Sequence, residues 1–237
     1  MRRSELLERL ADLITAVQRP HPVRVGIDGV DGAGKTMLAE ELVAPIQRRG
    51  RPVVRSSVDF FHRPRAQRYQ RGRHSPEGYF LDSFDYDGLK AAVLNPLGPA
   101  GSRRFRRRLF DHRTDLPVDA VEEQADPGAV LLFDGIFLHR PELFGFWDFS
   151  IFVDARFEVS VSRCAQRDGS SPDLVAAENR RYIRGQEIYL ERCAPRSRAT
   201  VIVDNNDLAQ PSLSAGEPIG SNETDDQGHT LYFGERL

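Results

Sequence analysis

The sequence is poor in cysteine, lysine and tryptophan, and it lacks long apolar runs. Its 237 residues include two cysteines, Cys164 and Cys193. That is too few for a disulfide framework or a clustered metal site. Such sparse cysteine fits a reducing compartment, so the cytoplasm is the expected location. No apolar run approaches the ~18 residues of a membrane span, and no membrane association is expected. The segment after Met1 is amphipathic, unlike the apolar block of a signal peptide. Lysine is nearly absent: of 33 basic residues, only Lys35 and Lys90 are lysine and the other 31 are arginine. A lone lysine in a specific motif therefore stands out. The length suffices to bury a core without covalent staples.

The formal net charge of −2 conceals local imbalance. Nine arginines and one acid, Asp59, lie between Gln47 and Arg73, and six arginines and one acid, Asp111, lie from Arg103 to Arg113. Asp204 to Leu237 carries seven acids and one arginine. Basic segments of this kind suit polyanions, and the acidic end reads as a tail.

Strands alternate with helices along the chain. Leu6, Leu7, Leu10, Leu13, Ile14 and Val17 recur at helical spacing behind Ser4, a candidate cap. Residues 1–19 thus form an amphipathic helix. Val23 to Asp28 and Pro52 to Val58 read as strands, separated by a glycine-rich turn and a helix that Pro45 should kink or end. Tyr86 to Leu94 reads as a helix capped by Asp85. Arg104 to Phe110 suits an exposed edge strand. Ala129 to Asp134 is a continuous apolar run, expected of a strand buried on both faces. A strand over Phe149–Val153, a helix over Ala155–Arg167, a helix starting at Ser171-Pro172-Asp173, and a strand over Thr200–Val203 complete the pattern. This alternation predicts an α/β fold with a mainly parallel sheet. A catalytic domain over 20–208 and an acidic, mobile tail over 209–237 are expected.

Gly29-Val-Asp-Gly-Ala-Gly34-Lys35-Thr36 matches the phosphate-binding pattern G-x-x-x-x-G-K-[ST], and it sits between a strand and a helix, as that pattern requires. Its glycines, Asp31 and Ala33 put backbone N–H groups around a polyanion. Lys35 would reach the β- and γ-phosphates, and the Thr36 hydroxyl would ligate Mg²⁺. Asp134 ends a buried strand, where a carboxylate lies near the metal, although it would also cap the following turn. Asp59 follows the second strand at the carboxyl edge and is placed to accept a proton from an attacking hydroxyl. Its arginine-rich surroundings predict a lowered pKa.

Together these residues resemble the uridine kinase/phosphoribulokinase family of P-loop kinases. Five pieces carry the resemblance: Gly29–Thr36; Ser57-Val-Asp59-Phe60-Phe61; Ser83-Phe84-Asp85; Leu132-Phe133-Asp134-Gly135-Ile136-Phe137; and Ile151-Phe-Val-Asp154 with Ser162-Arg163-Cys-Ala-Gln-Arg167-Asp168. The resemblance implies a five-stranded parallel core and transfer of the γ-phosphate of Mg-ATP to a hydroxyl. It also implies that Asp59 orients the nucleophile, that Asp134 lies near the metal, and that Arg163 and Arg167 belong to a lid over the phosphates. A homo-oligomer is a family expectation, with the N-terminal helix a candidate contact.

The sequence departs from uridine kinases in the acceptor half. Tyr79 stands where their ribose-binding Asp would be, with Asp82 nearby as a candidate replacement. Cys164 replaces an arginine, and the base-holding Tyr and His have only approximate counterparts, Phe110 and His112, in a shortened loop. Asp59, Phe61, Tyr79, Asp82 and His112 are the candidate acceptor contacts. A nucleoside is the first acceptor to consider. An anionic acceptor, a sugar phosphate or a pantothenate-like acid, fits the arginine surplus. A nucleotide-dependent, nucleic-acid-binding regulator is a third reading, which the near-neutral total charge disfavours.

Overall fold

The computed structural model of the chain describes residues 1–216. The chain begins with α1 (Arg3–Ala16), β1 (Val23–Gly29), α2 (Lys35–Glu41), α3 (Val43–Arg48) and β2 (Val53–Ser57). A 3₁₀ turn over Val58–Phe61 leads to α4 (Arg65–Arg68), α5 (Pro76–Asp82) and α6 (Tyr86–Leu89), which runs on as a π turn over Lys90–Leu94. Four two-residue strands follow: β3 (Arg104–Phe105), β4 (Phe110–Asp111), β5 (Leu116–Pro117) and β6 (Glu123–Gln124). Then come β7 (Val130–Asp134), α7 (Pro141–Phe144), β8 (Phe149–Asp154), α8 (Phe157–Asp168), α9 (Ala177–Cys193), α10 (Pro195–Arg198), β9 (Val201–Asp204) and β10 (Ser212–Ala215).

The main sheet has the order β10-β9-β8-β1-β7-β2. Its five strands β2, β7, β1, β8 and β9 are parallel, and β10 adds antiparallel to β9. β1 and β7 are buried along their whole length, as central strands covered on both faces must be. One face packs α1, α2 and α3 through Leu6, Leu10, Ile14, Leu38, Leu42 and Ile46. The other packs Phe61, Phe80, Phe84, Phe133, Phe137 and Trp147. The apolar side of α1 thus packs inside the molecule through Leu6, Leu10 and Ile14, while Leu13 is left exposed.

Several expectations need correction. Ser4 lies inside α1; the cap is Arg2, whose backbone N–H donates to Glu5 Oε2 at 3.1 Å. The expected interruption at Pro45 is present: the helix after the phosphate loop breaks at Leu42, one turn earlier, because proline clashes with the carbonyl four residues before it. The stretch from Arg104 to Phe110 is not one strand but contributes to two separate ribbons. Helix α9 starts at Ala177 rather than Ser171; Asp173 Oδ1 instead accepts the Val175 N–H at 3.0 Å and closes a turn. The tail expected to be mobile contributes β10, and residues 217–237 lie outside the described residues. Asp85 does cap α6, accepting the Gly88 N–H at 3.0 Å.

Candidate active site

The phosphate loop joins β1 to α2 at the carboxyl edge of the sheet. Two of its glycines are needed for shape. Gly32 has φ +74° and Gly34 has φ +95°. A Cβ at Gly32 would stand 2.2 Å from the Ser160 carbonyl oxygen of α8, and one at Gly34 would stand 2.7 Å from Asn205 Nδ2. Lys35 lies under the loop, and its Nζ donates to the Val30 carbonyl at 2.8 Å. Asn205 Nδ2 donates to the Ala33 carbonyl at 2.7 Å.

The loop rests on buried polar groups that the sequence did not announce. Asp28, fully buried, accepts the Gly29 N–H at 2.7 Å and lies 2.6 Å from His139 Nδ1. The Tyr189 hydroxyl donates to the same carboxylate. These partners are 111 and 161 residues from Asp28, so no local pattern signals them. Such donors satisfy a carboxylate that burial would otherwise make costly.

Thr36 and Asp134 meet directly, the Thr36 hydroxyl donating to Asp134 Oδ2 at 2.7 Å. Arg55 Nη2 donates to the other oxygen at 2.9 Å. Burial pushes the Asp134 carboxyl up from its ordinary range, against the hydrogen bond from Thr36 and the charge of Arg55. A hydroxyl and a carboxylate side by side are hard oxygen donors of the kind that hold Mg²⁺.

Asp59 occupies the 3₁₀ turn after β2. The residue is exposed to solvent, with protein atoms crowding its carboxylate. Desolvation there, followed by the charge of Asp31, pushes its carboxyl above the ordinary value, while Lys35, His112 and Arg167 pull it down. The expected lowering is therefore corrected. The nearby arginines largely serve other acids: Arg68 pairs with Asp115 at 3.2 Å, Arg71 with Asp82 at 3.0 Å and Arg55 with Asp134.

Arg167 is exposed, pairs with neighbouring Asp168 at 3.0 Å, and stays within electrostatic reach of Asp59 and Asp31. Arg163 is committed elsewhere. Its Nη2 donates to the carbonyls of Asn205 and Asn206 at 2.9 and 3.1 Å, bracing the turn beside the loop. The two candidate lid arginines thus occupy different environments.

A cavity of about 470 Å³ opens beside the 3₁₀ turn. Phe61, His62, Arg63, Asp85, Leu109 and Phe110 line it. His62 lies 5.0 Å from His112, ring to ring, and burial lowers its pKa to about 4, which keeps it neutral near pH 7. Of the candidate acceptor contacts Phe61 lines this cavity, and Asp59, Tyr79, Asp82 and His112 do not. Tyr79 is buried, and its hydroxyl donates to Asp31 Oδ2 at 2.7 Å. Gln186, which sequence reading passed over, accepts the Asp31 backbone N–H at 2.6 Å.

Residues 24–189 match the family described as phosphoribulokinase/uridine kinase. The chain belongs to this family. Members of the family are kinases. A uridine kinase from Leuconostoc citreum (strain KM20) is 24% identical over 153 residues, which is 62% of this chain and 69% of the relative. A solved structure described as "a Possible Uridine Kinase from Bacillus stearothermophilus" superimposes with a TM-score of 0.67 at 24% identity, over 85% of this chain and 98% of that one. A D-glycerate 3-kinase from Cryptococcus neoformans superimposes with a TM-score of 0.59 at 12% identity, over 89% and 99% of the two chains. At these identities the structural likeness establishes the α/β P-loop kinase fold. Among the described residues no helix is long and apolar enough to cross a membrane.

Proposed function

We propose that the protein transfers the γ-phosphate of Mg-ATP to a hydroxyl of a small metabolite, with a nucleoside the leading acceptor class. The observation that carries this reading is the Thr36–Asp134 contact at 2.7 Å beside a shaped phosphate loop, with Asp59 in electrostatic reach of Lys35 and Arg167. The N–H groups of residues 29–36 hold the phosphates, and Lys35 exchanges the Val30 carbonyl for them. Thr36 and Asp134 supply two oxygen donors to Mg²⁺. Among the described residues no group of three or more His, Cys, Asp and Glu could hold a metal by itself. Nucleotide phosphate oxygens and water would supply the remaining oxygen donors that Mg²⁺ favours. When bound, the cation offsets charge on the β- and γ-phosphates.

Asp59 takes the proton of the acceptor hydroxyl as its oxygen bonds to the γ-phosphorus. The bond from that phosphorus to the β,γ-bridging oxygen breaks, and ADP leaves with the electron pair. Arg167 offsets charge developing on the transferred group. Arg163 supports the site by holding residues 205–206 against the loop. The two thiols stand unpaired, which fits the reducing cytoplasm.

A second reading, an anionic acceptor, has its own support. No carboxylate stands free for a ribose diol at these positions: Tyr79 is bonded to Asp31, and Asp82, the one carboxylate candidate, is paired with Arg71. Arg63 lines the cavity and stays within electrostatic reach of Asp87. The nucleic-acid reading loses support, because Arg104 and Arg107 are paired with Glu122 and Glu123. A panel of nucleosides, sugar phosphates and hydroxy acids, read by coupled ADP formation, tests the proposal. Turnover of nucleosides supports the leading reading. Turnover of anionic acceptors alone selects the second, and salt-dependent RNA or DNA binding without phosphorylation of any small molecule rejects both.

A further inference from the structure

Three parts of the molecule that need not touch are joined at Asp31. The phosphate loop supplies Asp31 itself, its carboxylate taking the Tyr79 hydroxyl of α5 at 2.7 Å and its backbone N–H bonding to Gln186 Oε1 of α9 at 2.6 Å. Tyr79 and Gln186 are both buried, at 7% and 3% exposure. Gly185 makes the arrangement possible: a Cβ there would stand 2.7 Å from Tyr79 Cδ1. The Tyr79 ring is fixed by edge contacts to Phe137 and Tyr182 at 5.4 and 4.9 Å. The Arg181 guanidinium of α9 lies over Tyr79 and Tyr69, and its Nη1 donates to the Arg73 carbonyl at 2.7 Å.

From α5 the connection reaches the acceptor side through the backbone. The Arg63 N–H donates to the Ser83 carbonyl at 3.0 Å, and the Asp85 N–H donates to the Phe61 carbonyl at 2.7 Å. These bonds hold α5 against the segment that carries Asp59 and lines the cavity.

We infer that Tyr79 is a positioning residue that acts through Asp31 to preset the phosphate loop and tie it to the acceptor-side segment. Tyr79 stands out because it replaces a group expected to touch the acceptor, yet its hydroxyl faces the nucleotide side. This inference rests on the proposed nucleotide role of the loop. This part-buried hydroxyl-to-carboxylate bond is charge-assisted, and removing the hydroxyl alone takes the restraint from the loop while the ring keeps its packing contacts.

A double-mutant cycle tests the inference, with Mg-ADP affinity measured by titration calorimetry on the full chain and thermal melts run alongside. Tyr79→Phe keeps the ring contacts and removes only the hydroxyl. It is expected to weaken Mg-ADP binding roughly 10-fold with little change in Tm, and to add less than about twofold on an Asp31→Ala background, because coupled pairs are non-additive. Full additivity of the two substitutions would overturn the inference, as would unchanged or tightened binding by Tyr79→Phe. A wild-type chain that does not bind Mg-ADP at all would overturn the nucleotide reading itself and the inference with it. Wild-type binding with an additive cycle removes only the inference.

Discussion

Asp59 shows how far a residue's role can be read from its neighbours in sequence. Its position after a strand at the sheet's carboxyl edge was legible, because open α/β sheets gather ligands there. Its electrostatics were not. Charge density along the chain is not charge density in space: Arg55, Arg68 and Arg71 turn to Asp134, Asp115 and Asp82, and desolvation with Asp31 dominates at Asp59. Asp59→Asn is expected to lower kcat by about 10²–10⁴-fold, the range of a lost general base, while Mg-ADP affinity measured by calorimetry stays within about twofold. The sign of the pH dependence follows from the raised pKa. The ionised form is the active one, so turnover falls as pH drops through that pKa, and the acid limb lies above the ordinary Asp value. Asp31→Asn removes the adjacent negative charge, which lowers the Asp59 pKa. The acid limb of kcat against pH should then move to lower pH; an upward shift would contradict the assigned electrostatics.

At the scale of elements, what depended on local rules was readable. β1 and β7 follow from apolar runs, the break near Pro45 from proline sterics, and the α6 cap from Asp85. What depended on distant partners was not. Nothing near Tyr79 or Gln186 in sequence points to Asp31, which lies 48 and 155 residues away. The delayed start of α9 arises because Asp173 and Asn179 tie the preceding turn together, Asn179 Nδ2 donating to the Ser171 and Asp173 carbonyls at 2.8 Å. Short α5 depends on Ser75, whose Oγ accepts the Gly78 N–H at 3.0 Å. Ser75→Ala is expected to cost about 1 kcal/mol, as lost N-caps do, measured by urea unfolding. A cost below about 0.3 kcal/mol would show that packing against α9 alone holds α5.

For the whole molecule, the layered α/β architecture was legible from the alternation of apolar strands and amphipathic helices. The sixth strand was not, because Ser212–Ala215 is only four residues long and offers one large apolar side chain, Leu213. β10 gains its structure by pairing with β9, which packs in the core through Val201 and Val203. Ending the chain after Leu208 removes β10 and bares the β9 edge. The Tm should fall by about 2–4 °C for each kcal/mol lost, and differential scanning calorimetry reads the change.

The central claim is phosphoryl transfer to a small hydroxyl compound. The most direct measurement incubates the protein with ATP, Mg²⁺ and the acceptor panel and follows ADP and phosphorylated product together by mass spectrometry. The account predicts ADP formed one-for-one with a phosphorylated acceptor, dependent on Mg²⁺, and largely abolished by Asp59→Asn. ADP formation indifferent to every acceptor, or turnover that survives Asp59→Asn, would contradict it.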